Sequence, residues 1–388
     1  VHPVRQDGIV PARAVCEVDL DAISANVELL RAHAPGAALL AVVKADAYGH
    51  GLIPVARAAL AGGADWLGTA LLQEAVALRQ QGVTAPILTW LWSPGDEDLA
   101  ACVRTEVDVT ASSGWQLEAI TAAGHATGVR ARVQLKVDTG LGRNGATAAD
   151  WPALVEQAAR LEAAGTIRVT GIWSHFALAD APSSATNAAQ VAAFDAALAV
   201  ASAAGLTPQV RHLANSAATL ATPRAHYDLV RPGIAIYGVS PGGELGRPER
   251  YGLVPAMTLR ARLAHVKRVP AGQGVSYGHE YVTPDETTLG LVPLGYADGI
   301  PRAAGGRGPV LAAGRIRRIA GRVCMDQFVL DLGDAPARAG DEVVLLGSAA
   351  RGEPTAEDWA AAAGTIGYEI ITRLGPRIQR THVGSGMP

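Results

Sequence analysis

Residues 39–51 read L-L-A-V-V-K-A-D-A-Y-G-H-G, an apolar run that ends in Lys44 and then turns through Tyr48, Gly49 and Gly51. A lysine where a buried strand leaves the core is partly desolvated, which lowers its pKa and keeps some amine neutral. A neutral amine condenses with an aldehyde, so Schiff-base chemistry is what such a lysine could perform. The plainer alternative is a charge that snorkels from the strand end into water.

Further clusters follow other apolar runs. Residues 133–145 read V-Q-L-K-V-D-T-G-L-G-R-N-G, and their glycines let Arg143 fold back over the strand end. A guanidinium there could clamp a phenolate or carboxylate, or be a solvated charge on a connecting loop. Lys136 lies within the same strand, where a buried ammonium near Arg143 is repulsive. His175, in W-S-H-F-A, reads either as an acid–base group or as hydrogen-bonded core. Asn215 and Ser216 open a helix, as caps or as phosphate ligands. Arg231 precedes Pro232, and Gly233 with Ile234 exposes backbone amides to an anion or simply turns the chain. Later come G-V-S-Y-G (274–278), G-Y-A-D-G (295–299), G-R-V-C-M-D (321–326) and G-T-I-G-Y-E (364–369). Three of these set a tyrosine beside glycine, an arrangement that is usually packing.

Such clusters need a scaffold that gathers strand ends. Apolar runs at 39–43, 66–69, 86–89, 107–110, 132–137, 169–173, 210–212 and 229–237 alternate with helical stretches such as 73–80, 114–123, 151–164 and 187–204. That cadence predicts right-handed βαβ units and a parallel sheet. Eight units predict a (β/α)8 barrel of the TIM type, with chemistry at the carboxyl ends of its strands. A doubly wound open sheet is the rival, although no G-x-G-x-x-G follows the first strand. Residues 241–248 are rich in Gly and Pro and read as a linker. Beyond them, short β-type runs at 257–269, 288–293, 309–312, 316–321, 328–332 and 342–346 predict a smaller mainly-β domain with one late helix at 357–363. The expected domains are 1–240, whose first sixteen or so residues can pair with the β domain, and 241–388.

The chain of 388 residues is 49% hydrophobic and 18% charged with net charge −3, so it can bury large cores and offers no field for nucleic acid or anionic lipid. Cys16, Cys102 and Cys324 are scattered and odd in number, which excludes a disulfide framework or zinc site and fits a reducing compartment. No charged-then-apolar leader follows Val1 and no apolar run is long enough to span a bilayer, so a soluble cytoplasmic protein is expected.

Taken in order, V-V-K-A-D-A-Y-G-H-G, K-V-D-T-G-L-G-R-N-G, W-S-H-F-A, A-N-S-A, R-P-G-I-A-I-Y-G, V-S-Y-G, G-Y-A-D-G, C-M-D-Q and Y-E resemble the alanine racemases over almost the whole chain. The resemblance implies a barrel that binds pyridoxal 5'-phosphate (PLP), followed by a β domain. It also implies a head-to-tail homodimer in which the β domain of one chain caps the barrel mouth of the other. The implied activity interconverts L- and D-alanine by two-base proton transfer on PLP, supplying D-alanine for peptidoglycan. By position, Lys44 would be the PLP lysine and one acid–base, and Tyr277 from the partner chain the other. Arg231 would contact the pyridine nitrogen with His175 in support, and Arg143 would meet the cofactor phenolate and the substrate carboxylate. Tyr48, Asn215, Ser216, Gly233, Ile234 and Tyr368 would hold the cofactor. The Met325 amide, with Tyr277, Tyr296 and Asp326, would meet the substrate. Tyr296 and Tyr368 would narrow the mouth, with Asp180, Arg302 and Arg322 further out.

Lys136 stands where the family lysine is often carbamylated, and an anionic carbamate would orient Arg143. Asp46 and Gly367 depart from the asparagines common at those positions, which touches loop detail and not the reaction. A free phenol has a pKa of about 10, so the base role needs cations beside it. No metal is expected. The competing readings are a barrel-type PLP decarboxylase of basic amino acids, a serine or broad-specificity racemase, and a non-catalytic PLP-binding protein. Arg231 argues against the first, which would want an acid at the pyridine nitrogen.

Overall fold

The computed structural model describes residues 12–384; of the segment 1–16 expected to pair with the β domain, 1–11 lie outside the described residues. The described chain forms two compact units. One is Leu20–Val254; the other joins the residues up to Asp19 with Pro255–Val383.

The first strand, β1 (Ala14–Asp19), belongs to the second unit. The first unit holds β2 (Ala38–Val42), β3 (Trp66–Thr69), β4 (Ile87–Thr89), β5 (Asp108–Ala111), β6 (Ala131–Lys136), β7 (Ile167–Trp173), β8 (Val210–His212) and β9 (Leu229–Val230). They pair in parallel in the order β8-β7-β6-β5-β4-β3-β2-β9. The ring closes between β8 and β9: Asp228 N donates to Arg211 O at 3.0 Å, Arg231 N donates to Ala214 O at 2.9 Å, and Asn215 bridges Arg231. A closed eight-stranded barrel therefore replaces the open-sheet alternative. Alanine-rich helices such as Trp151–Ala163 and Ala185–Ala203 connect the strands, each burying one apolar stripe.

The barrel interior is not uniformly apolar. Side chains alternate along β6, so Arg132, Gln134 and Lys136 share one face while Val133 and Leu135 take the other. Gln134 touches both Asp108 of β5 and His212 of β8, strands that are not neighbours, so the polar face is the inner one. Pairing of β6 with β7 slips between Val133 and Gln134, leaving Thr170 as an extra residue.

Two segments differ from their expected form. Residues 229–237 are not one strand: β9 stops at Val230, Pro232 has no N–H to continue a ladder, and Ile234–Tyr237 winds into a 3₁₀ turn. Residues 241–248 are not a bare linker, because Glu244 N donates to Asp180 O at 2.9 Å and the segment lies within the first unit.

The second unit has a six-stranded sheet, a three-stranded sheet and a two-stranded ribbon. Their strands are β10 (Met257–Arg262), β11 (His265–Val269), β12 (Gly274–Val275), β13 (Tyr281–Val282), β14 (Thr287–Val292), β15 (Pro309–Ala312), β16 (Arg315–Arg318), β17 (Phe328–Gly333), β18 (Glu342–Leu346) and β19 (Gln379–Val383). β1 runs antiparallel to β10 and parallel to β19 at the edge of the larger sheet. The run expected at 257–269 divides into β10 and β11, which belong to different sheets. Thr355 caps the helix Ala356–Ala363 by accepting from Asp358 N.

Candidate active site

Lys44 leaves β2 into a turn of unusual hand. Ala45, Asp46, Ala47 and Tyr48 all have φ between +51° and +54°, a left-handed helical turn made without glycine. That conformation costs about 1–2 kcal/mol per residue, so it persists only under restraint. Glu74 supplies one clamp: its carboxylate accepts from Ala45 N at 2.6 Å, Ala70 N at 2.9 Å and Leu71 N at 3.0 Å. Asp46 Oδ1 supplies another by accepting from Leu52 N at 2.8 Å. The Lys44 Nζ lies 6.0 Å from the Tyr48 ring and 5.9 Å from Trp90. Burial lowers its pKa, Arg143 lowers it further, and Glu74 opposes both.

Below this lysine, Arg231 is buried at the seam where β9 ends. Its Nη1 donates to His212 Nδ1 at 2.9 Å, and its Nη2 donates to Ser174 O at 2.8 Å and faces His175 Nδ1 at 3.3 Å. Trp173 packs against Arg231, His212 and Lys136. Its ring lies 4.9 Å from the guanidinium and 4.2 Å from Lys136 Nζ, and stacks on His212 at 5.7 Å. Desolvation brings Arg231 down to about 9, so it stays a cation at neutral pH. Desolvation, then Arg231 and Arg143, hold His175 well below its ordinary value, so its imidazole is neutral. The same three causes bring Lys136 down to about 7. Its Nζ donates to Asn144 Oδ1.

Ser216, Gly233 and Tyr48 meet beside this floor. Ser216 Oγ accepts from Gly233 N at 2.8 Å and Ala235 N at 3.3 Å, which leaves the hydroxyl proton to be donated elsewhere. A Cβ at Gly233 would stand 2.5 Å from Tyr48 Oη, so only glycine admits the phenol here. Asn215 turns its side chain to the helix, capping Ala218 N at 3.1 Å.

Lys44, Lys136, Arg143, His175 and Arg231 are thus brought together, with Tyr48, Asn215, Ser216, Gly233 and Ile234 around them at one end of the barrel. Arg143 is exposed, yet its charge reaches Lys44, Lys136 and His175. Tyr277, Tyr296, Met325, Asp326 and Tyr368 lie in the other compact unit. Three of their loops are knitted together. Tyr296 N donates to Cys324 O at 3.0 Å, Ala297 N donates to Met325 O at 2.9 Å, and Ser276 Oγ donates to Arg322 O at 2.9 Å. Arg377 pairs with Asp326 at 2.7 Å and with the buried Asp298 at 3.3 Å. Arg322 pairs with Glu280 rather than standing unpartnered. Tyr368 is on a separate helix, Gly367–Thr372. Among the described residues no group of three or more His, Cys, Asp or Glu side chains is placed to hold a metal, and no helix is long and apolar enough to cross a membrane.

Sequence reasoning passed over Glu74, Gln134, Asn144 and His212. Glu74 leaves a faint signal, a carboxylate three residues into a helix start; His212 leaves none beyond its place in a strand.

The model of the alanine racemase N-terminal domain matches residues 18–241, and that of the alanine racemase C-terminal domain matches 256–382. The chain is 61% identical over 371 residues to the alanine racemase of Frankia casuarinae, covering 96% of each. It is 59% identical over 384 residues to that of Streptomyces coelicolor, covering 98% of each. Among solved structures, alanine racemase from the D-cycloserine producer Streptomyces lavendulae superposes with a TM-score of 0.96 at 59% identity, over 97% of this chain and 98% of that one. Alanine racemase from Bartonella henselae with covalently bound pyridoxal phosphate superposes at 0.85 and 28% identity, over 96% and 100%. Tandem domain matches and near full-length relatives of this identity place the chain in the alanine racemase family.

Proposed function

We propose that the chain interconverts L- and D-alanine with PLP bound at the carboxyl ends of the barrel strands. We further propose that two copies pair head to tail in the cytoplasm, where D-alanine feeds peptidoglycan synthesis. The residues fit a phosphate-bearing aldehyde: a desolvated amine at Lys44, and hydroxyls of Ser216 and Tyr48 brought together beside Gly233 and Ile234, where only glycine at 233 leaves room for the Tyr48 phenol. Tyr368 completes the phosphate site in this reading.

The observation that carries the proposal is Arg231, a buried cation at the floor with His212 behind it. Arginine only donates hydrogen bonds, so a ring nitrogen it meets stays unprotonated. When bound, the cofactor withdraws the electron pair left as the Cα proton departs. Arg231, by keeping that nitrogen unprotonated, would temper the withdrawal and favour quick return of a proton over transamination or decarboxylation.

Racemisation needs an acid–base on each face of Cα, because return to the same face regenerates the starting enantiomer. Lys44 Nζ serves one face, its lowered pKa keeping amine available to take a proton. The phenol of Tyr277 from the partner serves the other. His175 is neutral with Nδ1 toward Arg231, so its Nε2–H is left to donate to that phenol oxygen and stabilise it as an anion. Arg143 and the Met325 amide hold the substrate carboxylate, and Tyr296 and Asp326 line the substrate site in this proposal. Lys136 is carbamylated in this proposal, which replaces a cation beside Arg143 with an anion that orients it.

The test is a side-by-side assay of L-alanine, L-serine and L-lysine in deuterated water. Alanine is expected to racemise with solvent deuterium at Cα. PLP absorbance without Cα exchange would instead mark a binding protein, and faster turnover of serine a broad-specificity racemase.

A further inference from the structure

Arg231 and Asp108 stand at opposite ends of a run of hydrogen bonds through the barrel interior. Arg231 Nη1 donates to His212 Nδ1 at 2.9 Å, His212 Nε2 meets Gln134 Oε1 at 2.7 Å, and Gln134 Nε2 donates to Asp108 Oδ2 at 2.8 Å. The two ends fix the sense of every bond between them. A guanidinium only donates and a carboxylate only accepts, so His212 must keep Nδ1 bare and carry its hydrogen on Nε2. Gln134 must then turn its oxygen to the imidazole and its amide hydrogens to Asp108. The reverse amide would set hydrogens against hydrogens at His212 and oxygen against oxygen at Asp108.

The interior is built to hold this run. A Cβ at Gly171 would lie 2.7 Å from the Gln134 amide, so glycine clears its place. The slip in pairing at Thr170 lets that residue's hydroxyl reach Asp108 Oδ2 at 3.1 Å. Arg132 neutralises the carboxylate from β6. Trp173 stacks on His212 with an interplanar angle of 4°. Burial, then Arg231, keeps His212 well below its ordinary pKa, so it does not ionise against the guanidinium.

We infer that Asp108, remote from the strand-end cluster, is a positioning residue for Arg231: through Gln134 and His212 it dictates which tautomer faces the guanidinium. Toward the cofactor, the inference rests on the reading that Arg231 meets the ring nitrogen. Asp108→Asn reverses the run. With its oxygen kept on Arg132, the new amide faces Gln134, which flips and drives the His212 hydrogen onto Nδ1, against Arg231.

The first measurement is the ¹⁵N spectrum of histidine-labelled, cofactor-free protein, with His212 assigned by difference against His212→Asn. Wild type is expected as the Nε2–H tautomer and Asp108→Asn as Nδ1–H. In the loaded enzyme, Asp108→Asn is expected to raise the ratio of transamination to racemisation by roughly tenfold, the scale of a lost charge-assisted hydrogen bond. Thr170→Val removes another donor from the same oxygen without reversing the run, and should leave tautomer and ratio as in wild type. A folded Asp108→Asn that keeps Nε2–H and the wild-type ratio overturns the inference. Should that variant not fold, Gln134→Leu answers the question: it cuts the run while Arg231 still keeps Nδ1 bare, so a raised ratio of transamination to racemisation supports the inference and a wild-type ratio overturns it. If wild type failed to racemise alanine the functional reading would fall, while the tautomer result would stand by itself.

Discussion

Lys136 is the side chain whose chemistry is most exposed to test. Its amine falls from an ordinary 10.5 to about 7 in the fold. Between those values the unfolded chain binds a proton that the folded chain has lost, so stability rises with pH across the window and is lowest at and below 7. Urea midpoints in CO2-free buffer should show that rise, and Lys136→Met should flatten it. An amine that is neutral near pH 7 is also the form that adds CO2. With ¹³C-bicarbonate the wild type should therefore show a carbamate resonance that Lys136→Met lacks. Lys44 was legible in the sequence because it ends an apolar run, and Arg231 because Pro232 and Gly233 follow it. His212 and Asp108 were not, because a polar residue inside a barrel strand looks the same in sequence as one on a wetted face. Only the strand order shows that β5, β6 and β8 share an interior.

At the level of elements, the left-handed turn after β2 is the part most in need of support. Glu74→Ala would leave three backbone amides without their acceptor, a loss of about 1–3 kcal/mol for each that stays buried. Faster hydrogen exchange at Ala45–Tyr48 and weaker PLP retention are the expected results, with Glu74→Gln intermediate; unchanged exchange would remove the clamp from the account. The turn itself was foreseen from Gly49 and Gly51, but not its hand. Nothing in A-D-A-Y announces positive φ, since the restraint comes from a carboxylate some thirty residues on. The opposite failure occurred at 229–237. The apolar run hid a break that Pro232 and Gly233 marked plainly, and that break is what leaves Arg231 at a strand end.

For the molecule as a whole, the parallel barrel and the separate β unit follow from the change of rhythm along the chain, helices between strands and then strands alone. Tyr277, Met325 and Tyr296 are 71%, 53% and 40% exposed, large apolar side chains grouped on loops of one unit. In the proposed head-to-tail pair they would meet the other chain's barrel. Each complete site would then draw on both chains. Lys44→Ala and Tyr277→Phe proteins, each inactive alone, should regain activity on mixing, since a hybrid pair holds one intact site. Mixtures that stay inactive after proven exchange of subunits would exclude a shared site.

The last barrel strand is two residues long, and a few backbone bonds close the ring beside it. Every proposed contact to the cofactor's phosphate within the barrel, from Ser216, Gly233, Ile234 and Tyr48, flanks that short stave. A ligand gripped there would act like a hoop on a cask, spanning the joint with the least timber.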